Sequence, residues 1–204
     1  MRKITKEPEP KFWSDFKKKN PKVKYNNLDK TKGGCELRSR IRDFMVKNQK
    51  GLCCYCCKSI DTTNSHNEHV KPQNSYPDFS MDYHNLLASC DAKMHCDHAK
   101  GSKYDESFFV SPLDDDCENQ FEYLPDGRIE GISDKGKYTV NLLNLNSYDL
   151  RQARKTLFKK CLEAAKLDPK LVYEWYIHER EDGRLPRFVD MIKYFYDLGV
   201  FIEK

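Results

Sequence analysis

Apolar positions along this 204-residue chain follow a helical rhythm in some stretches and lose it in others. In CELRSRIRDFMVKNQKG, Leu37, Ile41, Phe44 and Met45 fall on one face while Arg38 and Arg42 point elsewhere. That spacing predicts a helix over 34–51, with Gly51 suited to its C-terminal cap. Between Gly51 and Gly101 the rhythm mostly stops, as expected where metal ligands rather than apolar faces hold the backbone. SPLDDDCENQFEYLPDGRIEGIS then alternates as a hairpin does. Phe121 and Tyr123 occupy one arm, Ile129 and Ile132 the other, and Asp126-Gly127 the turn.

Three helices are expected to finish the chain. SYDLRQARKTLFKKCLEAAKL has Ser147 as N-cap and a stripe of Leu150, Ala153, Leu157, Cys161 and Ala164. PKLVYEWYIHER opens at Pro169. LPRFVDMIKYFYDLG also starts with proline, buries Phe188, Ile192 and Phe195, and stops at Gly199. The N-terminal stretch 1–33 is rich in Lys, Asn and Pro with little apolar period, and reads as an irregular segment anchored by Phe12, Trp13 and Phe16. The length suits one domain over 1–204, with a central part at 52–133 and a helical part at 134–204.

Composition narrows the class. Hydrophobic residues make up 38%, charged residues 33% and aromatics 12%, which is polar for a globular chain but far from a disordered one. The absence of a long apolar run excludes a membrane span, and no apolar stretch follows the basic start MRKITKEPEPKFW, so a cytoplasmic location is expected. The net charge of +4 conceals an asymmetry: residues 1–50 hold 16 Lys/Arg against 6 Asp/Glu, and the remainder 20 against 26. A basic end on a slightly acidic body suits phosphates or an acidic partner, and equally a solvated arm.

Six of the nine cysteines lie between Cys53 and Cys96. In a reducing compartment an odd count argues against a disulfide framework and for a metal. CCYCC holds two overlapping C-x-x-C pairs, Cys53/Cys56 and Cys54/Cys57. SCDAKMHCDHAKG supplies Cys90 and Cys96, with His95 and His98 as other candidate ligands. Two thiolate pairs can close a tetrahedral zinc site of structural type; buried or redox cysteines without metal are the plainer alternative. Between the pairs lie Glu68-His69 and Asn85, and beyond them Asp97, His98 and Lys100. Metal-assisted phosphodiester cleavage needs a cation held by a carboxylate and a second ligand, a neutral imidazole as base, and a polar group to orient that imidazole. Glu68, His69, Asn85 and one of Asp97 or His98 can supply these roles.

With these residues the chain resembles the HNH endonucleases, and more narrowly the retron-associated and Septu-type (PtuB-like) HNH nucleases of bacterial anti-phage defence. GLCCYC, HNEHVKPQNSYPD, NLLASC, C-x-H-x-KG, and SPLDDDCENQFEYLPDGRI with LNLNSYDLRQAR carry the resemblance over about residues 1–160. It implies an α+β fold, a ββα-metal core with a structural zinc knuckle between N- and C-terminal helices. It also implies Cys53, Cys56, Cys90 and Cys96 as zinc ligands, with Cys54 and Cys57 as bystanders. Glu68 takes the place of the acidic ligand of a catalytic Mg2+ or Mn2+, His69 that of the general base and Asn85 that of its brace. His98 is preferred to Asp97 as the last metal ligand. Lys100 is expected at a substrate phosphate, and His66 is left outside the core site as a loop residue. The resemblance further implies a PtuA-type ATPase partner, a DNA or tRNA substrate, and in retron versions a reverse transcriptase with its RNA–DNA product. A zinc-stabilised adaptor without catalysis is the rival reading. Zinc hydrolysis of a small substrate is a third, weakened because HNEH lacks the H-E-x-x-H spacing.

Overall fold

A computed structural model describes residues 1–201. Chain order runs α1 (Lys11–Lys19), α2 (Gly34–Asn48), β1 (Ser65–His69), β2 (Leu86–Cys90), α3 (Asp97–Lys100), β3 (Phe121–Tyr123), β4 (Ile129–Gly131), α4 (Asp134–Leu142), α5 (Tyr148–Leu167), α6 (Lys170–Tyr176) and α7 (Val189–Asp197). Helices thus surround two small antiparallel pairs, β1–β2 and β3–β4, an α+β arrangement. No helix among the described residues is long and apolar enough to cross a membrane.

The predicted stripe on α2 is real: Leu37, Ile41 and Met45 are buried and Phe44 is partly so. A tight approach fixes where α2 begins, because a Cβ on Gly34 would lie 1.7 Å from the Leu28 carbonyl oxygen. It ends as expected near Gly51, whose φ of 72° lets its N–H reach the Val46 carbonyl at 2.8 Å. That anchors α2 behind β1 and β2, the pair it packs on.

The segment 1–33 departs from expectation. It contains α1 and a 3₁₀ turn at Tyr25–Lys30 and is strapped across the strands rather than left irregular. Trp13 is fully buried and its indole N–H donates to the Met81 carbonyl at 3.1 Å. Lys6 donates to the Tyr83 and Leu86 carbonyls with its ammonium 3.6 Å from the Tyr83 ring centre. Tertiary burial of a single tryptophan outweighs the weak local period here.

The hairpin forms at the expected turn, with Gly127 at φ 87°. Its tip lies on α5, where Arg154 is buried and donates to the Gly127 and Leu145 carbonyls. Ile132 falls beyond β4 and is 58% exposed, so the second arm buries Ile129 alone. Among the described residues four helices follow it, not three. The additional one, α4, is capped by the Ser133 hydroxyl accepting from the Gly136 N–H at 3.0 Å. Ser147 makes no such cap on α5, and α7 begins not at Pro186 but after Phe188, which takes a left-handed φ of 56°. Phe188, Ile192 and Phe195 are buried as expected.

Candidate functional site

The structure gathers Cys53, Cys56, Cys90 and Cys96 into one buried cluster. Cys53 Sγ lies 3.8 Å from Cys96 Sγ, and Cys56 Sγ 3.9 Å from Cys90 Sγ. Metal–sulfur bonds of about 2.3 Å in tetrahedral array put sulfurs ~3.8 Å apart, whereas a disulfide needs about 2.05 Å. The spacing therefore fits a metal that could be zinc. The backbone is shaped for it: Cys53 N–H bonds the Lys58 carbonyl, Cys57 N–H returns to the Cys53 carbonyl, and Cys90 N–H points at Cys53 Sγ at 3.3 Å. Burial pushes the Cys54 and Cys57 thiols well above their ordinary value, and neither belongs to the cluster. His95, weighed as a ligand, stands outside it with Nδ1 3.1 Å from Cys96 Sγ.

This cluster ties β2, which ends at Cys90, to α3, which starts after Cys96, and so sets what faces β1. Successive strand residues point to opposite faces. His66 and Glu68 face α3, while Asn67 and His69 face α1–α2, where Asn67 donates to Tyr25 Oη and the Arg38 carbonyl. The His69 ring meets the Tyr25 ring edge-on at 4.6 Å. The strand end where the faces meet opens into a cleft of about 220 Å³ lined by Asn67, Glu68, His69, Gln73, Asp97 and Ser102 among others.

His69 is 6% exposed and its Nε2 lies 3.0 Å from the Ser80 carbonyl oxygen. A carbonyl only accepts, so Nε2 carries the proton and Nδ1 keeps its lone pair. Burial pushes the His69 pKa down to about 4, leaving the ring neutral at pH 7. The sign of the linkage follows: between pH 6.5 and 4 the unfolded chain takes up a proton that the folded chain refuses. Stability should then be intact above pH 6.5 and fall by up to ~3 kcal/mol on acidification to pH 4. Thermal melts across that range should show the slope, and His69→Gln should flatten it.

Glu68 and Asp97 form a carboxyl pair. Burial raises the Glu68 pKa well above the carboxylate range against the pull of Lys100, and the hydrogen bond to Asp97 adds to the rise. Asp97 is held well below that range: burial opposes this, but the hydrogen bonds with Glu68 and His66 and the nearby cationic charge outweigh it. Two carboxyl groups thus stand together at the cleft, an arrangement that can hold a divalent cation.

Three expected placements need correction. Lys100 is 1% exposed, ion-paired with Glu68, and donates to the His69 carbonyl at 2.6 Å and the Val70 carbonyl at 2.9 Å. It is a buried strut under β1 and cannot reach a substrate phosphate, because α3 aims it inward. Lys100→Met, which strands Glu68 without its cation, should cost ~3–5 kcal/mol, read as a fall in melting temperature. Asn85 does not brace the His69 ring; its side chain bonds the Lys71 N–H at 2.7 Å and the Lys71 and Phe79 carbonyls. It closes the 71–79 loop that delivers Ser80, so it orients His69 at one remove. His98 is exposed and does not line the cleft, whereas Asp97 does.

His66, set aside in the sequence reading, is drawn in. Its Nε2 lies 2.5 Å from Asp97 Oδ2, and its ring stands perpendicular to that of His98 at 5.1 Å. Strand parity was the available signal, since a residue two before Glu68 shares its face.

No family model matches the chain. It is similar to a protein of Escherichia coli named as the HNH endonuclease of retron Ec83, 27% identical over 212 residues, covering 79% of this chain and 81% of that protein. It is also similar to the Septu protein PtuB of Bacillus thuringiensis, 29% identical over 115 residues, covering 53% of this chain and 42% of that protein. The retron- and Septu-type resemblance carried by the motifs is thereby shown.

Proposed function

We propose that this protein is a metal-dependent HNH endonuclease that hydrolyses phosphodiester bonds in DNA or tRNA, as the effector of an anti-phage defence system working with a PtuA-type ATPase. The observation that carries the reading is that a neutral, oriented imidazole and a carboxyl pair line one cleft beside a thiol cluster. The antiparallel pair β1–β2 followed by α3 then reads as the ββα-metal core. The resemblance to retron and Septu nucleases supplies the defence setting and the partner class.

In this reading Glu68 and Asp97 would hold the divalent ion, Mg2+ or Mn2+; His98, first preferred, yields to Asp97 on position. The ion supplies Lewis-acid stabilisation of charge on the phosphate and the leaving 3′ oxygen. His69, anchored through Nε2 on the Ser80 carbonyl, presents Nδ1 to a water and takes its proton as that water attacks in line. Tyr55, donating to Glu68 Oε1 at 2.6 Å, and Lys100 keep the Glu68 carboxyl turned toward the cleft. Arg38 and Arg42 of the basic N-terminal quarter hold the far side of β1, through the Tyr25 and Ser65 carbonyls, and leave positive charge for a nucleic-acid backbone.

A zinc-stabilised adaptor would keep the four cysteines but has no use for a buried histidine with its proton fixed by a backbone carbonyl. Nicking assays decide between the two. The nuclease requires divalent-ion-dependent cleavage by the protein co-purified with its operon partners, and cleavage insensitive to His69→Ala would sink it.

A further inference from the structure

We propose that Tyr25, carried by the N-terminal segment, is a positioning residue for His69, so that the base is aimed from outside the β1–β2 pair. The inference rests on the nuclease reading for what His69 does, and on contacts alone for how its ring is held. The Ser80 carbonyl fixes one corner of the imidazole, through Nε2 at 3.0 Å. A single hydrogen bond leaves the tilt of the ring plane to be set by packing. Tyr25 supplies that packing. Its ring stands at 81° to the imidazole with centroids 4.6 Å apart, an edge contact whose preference is directional.

Tyr25 is itself held at both ends. Its hydroxyl accepts from the side chain of Asn67, which lies two residues before His69 and so on the same face of β1. Its carbonyl accepts from Arg38 at 2.6 Å, and that guanidinium lies 4.9 Å from the tyrosine ring centre. Its N–H faces the Ser80 hydroxyl at 3.5 Å. One residue therefore reaches both the imidazole and the serine whose carbonyl fixes the imidazole proton.

Tyr25 is 8% exposed and is not among the residues that line the cleft, so it acts on the reaction through His69 and not on the substrate. Filling the core would be served by any apolar side chain at this depth, and leaves the perpendicular ring and the bond from Asn67 unexplained. The strap that Trp13 and Lys6 fasten to the Met81, Tyr83 and Leu86 carbonyls thus does more than cover the strands. It delivers Tyr25 to the base.

The test uses full-length Tyr25→Met and Tyr25→Leu, two replacements of different shape, with Tyr25→Phe as the conservative variant. Leu28→Ala, a fully buried position in the same 3₁₀ turn, is the control for lost stability. Carbon-13 relaxation of the His69 ring reports its motion, and cleavage by the complex purified from its native operon gives kcat and KM. The proposal expects a rigid ring in the wild type, in Tyr25→Phe and in Leu28→Ala, and a mobile one in Tyr25→Met and Tyr25→Leu. Those two should lose roughly ten- to hundredfold in kcat, as misplaced catalytic groups do, with KM little changed. Tyr25→Phe should recover most of the rate, and Leu28→Ala should lower the melting temperature while keeping kcat. A His69 ring as rigid in Tyr25→Met or Tyr25→Leu as in the wild type, or a kcat in them equal to that of Leu28→Ala, overturns the role of Tyr25. Such a result alongside cleavage that is lost in His69→Ala leaves the nuclease reading intact. A wild-type complex that cleaves nothing defeats that reading instead, and ring motion alone then decides whether Tyr25 holds His69.

Discussion

Replacing His69 with alanine should slow phosphodiester cleavage by roughly 10²–10⁴-fold, the usual contribution of a positioned general base, while the zinc content stays at one per chain. The prediction follows from two contacts. The Ser80 carbonyl takes the Nε2 proton, so the lone pair of a ring that lines the cleft is left on Nδ1 before substrate arrives. Burial keeps the ring neutral, so no proton has to be shed at pH 7. His69→Gln restores a hydrogen-bonding group without a basic ring and should be as slow as alanine, which separates proton transfer from simple loss of packing against Tyr25. Asn85→Ala should act in the same direction but more weakly, because it loosens the 71–79 loop rather than removing the base.

Cys53→Ser or Cys90→Ser should release zinc and lower the melting temperature on the order of 10–20 °C, taking the lost metal site as ~5 kcal/mol. The cluster joins three segments: the turn after α2, the end of β2 and the start of α3. Without it α3 loses its attachment to β2, Asp97 and Lys100 move away from Glu68, and a buried carboxyl is left without partners. Activity should therefore disappear with stability. Cys54→Ser and Cys57→Ser lie outside the cluster and should retain the metal, so elemental analysis of the Cys53, Cys54 and Cys57 variants distinguishes ligand from neighbours within the same five-residue CCYCC run.

How far the sequence was legible depended on how local the cause was. Leu37, Ile41 and Met45 announce α2 because helix periodicity is a property of neighbours on one chain segment. The four thiols likewise follow from ligand spacing, although the choice between two overlapping C-x-x-C pairs came there from family resemblance rather than from spacing. In the structure the turn geometry separates the pairs, with the Cys57 N–H bonding the Cys53 carbonyl and Cys57 itself at a left-handed φ of 56°. Contacts between distant segments were not legible. Trp13 is buried because the Met81 carbonyl happens to receive its N–H, and nothing in KFWSDFKKK foretells that. Lys100 looked like a phosphate contact by charge alone; only the one-turn length of α3 and its start at Cys96 aim it beneath β1. The bonds of Asn85 run not to the His69 ring but to a loop whose return path the sequence does not state. Asp97 and His98 differ by one residue of helix phase, about 100° of rotation, and only Asp97 lines the cleft.

The central claim is that Glu68, His69 and Asp97 act on one phosphodiester. Incubating the complex purified from its native operon with plasmid DNA and with tRNA, in Mg2+ and in Mn2+, and sequencing the cut ends tests it most directly. The account predicts divalent-ion-dependent cuts bearing 5′-phosphate and 3′-hydroxyl ends, abolished by chelation and reduced at least a hundredfold in His69→Ala. Cleavage of equal rate by the His69→Ala complex, or none by the activated wild-type complex on either substrate, would contradict it.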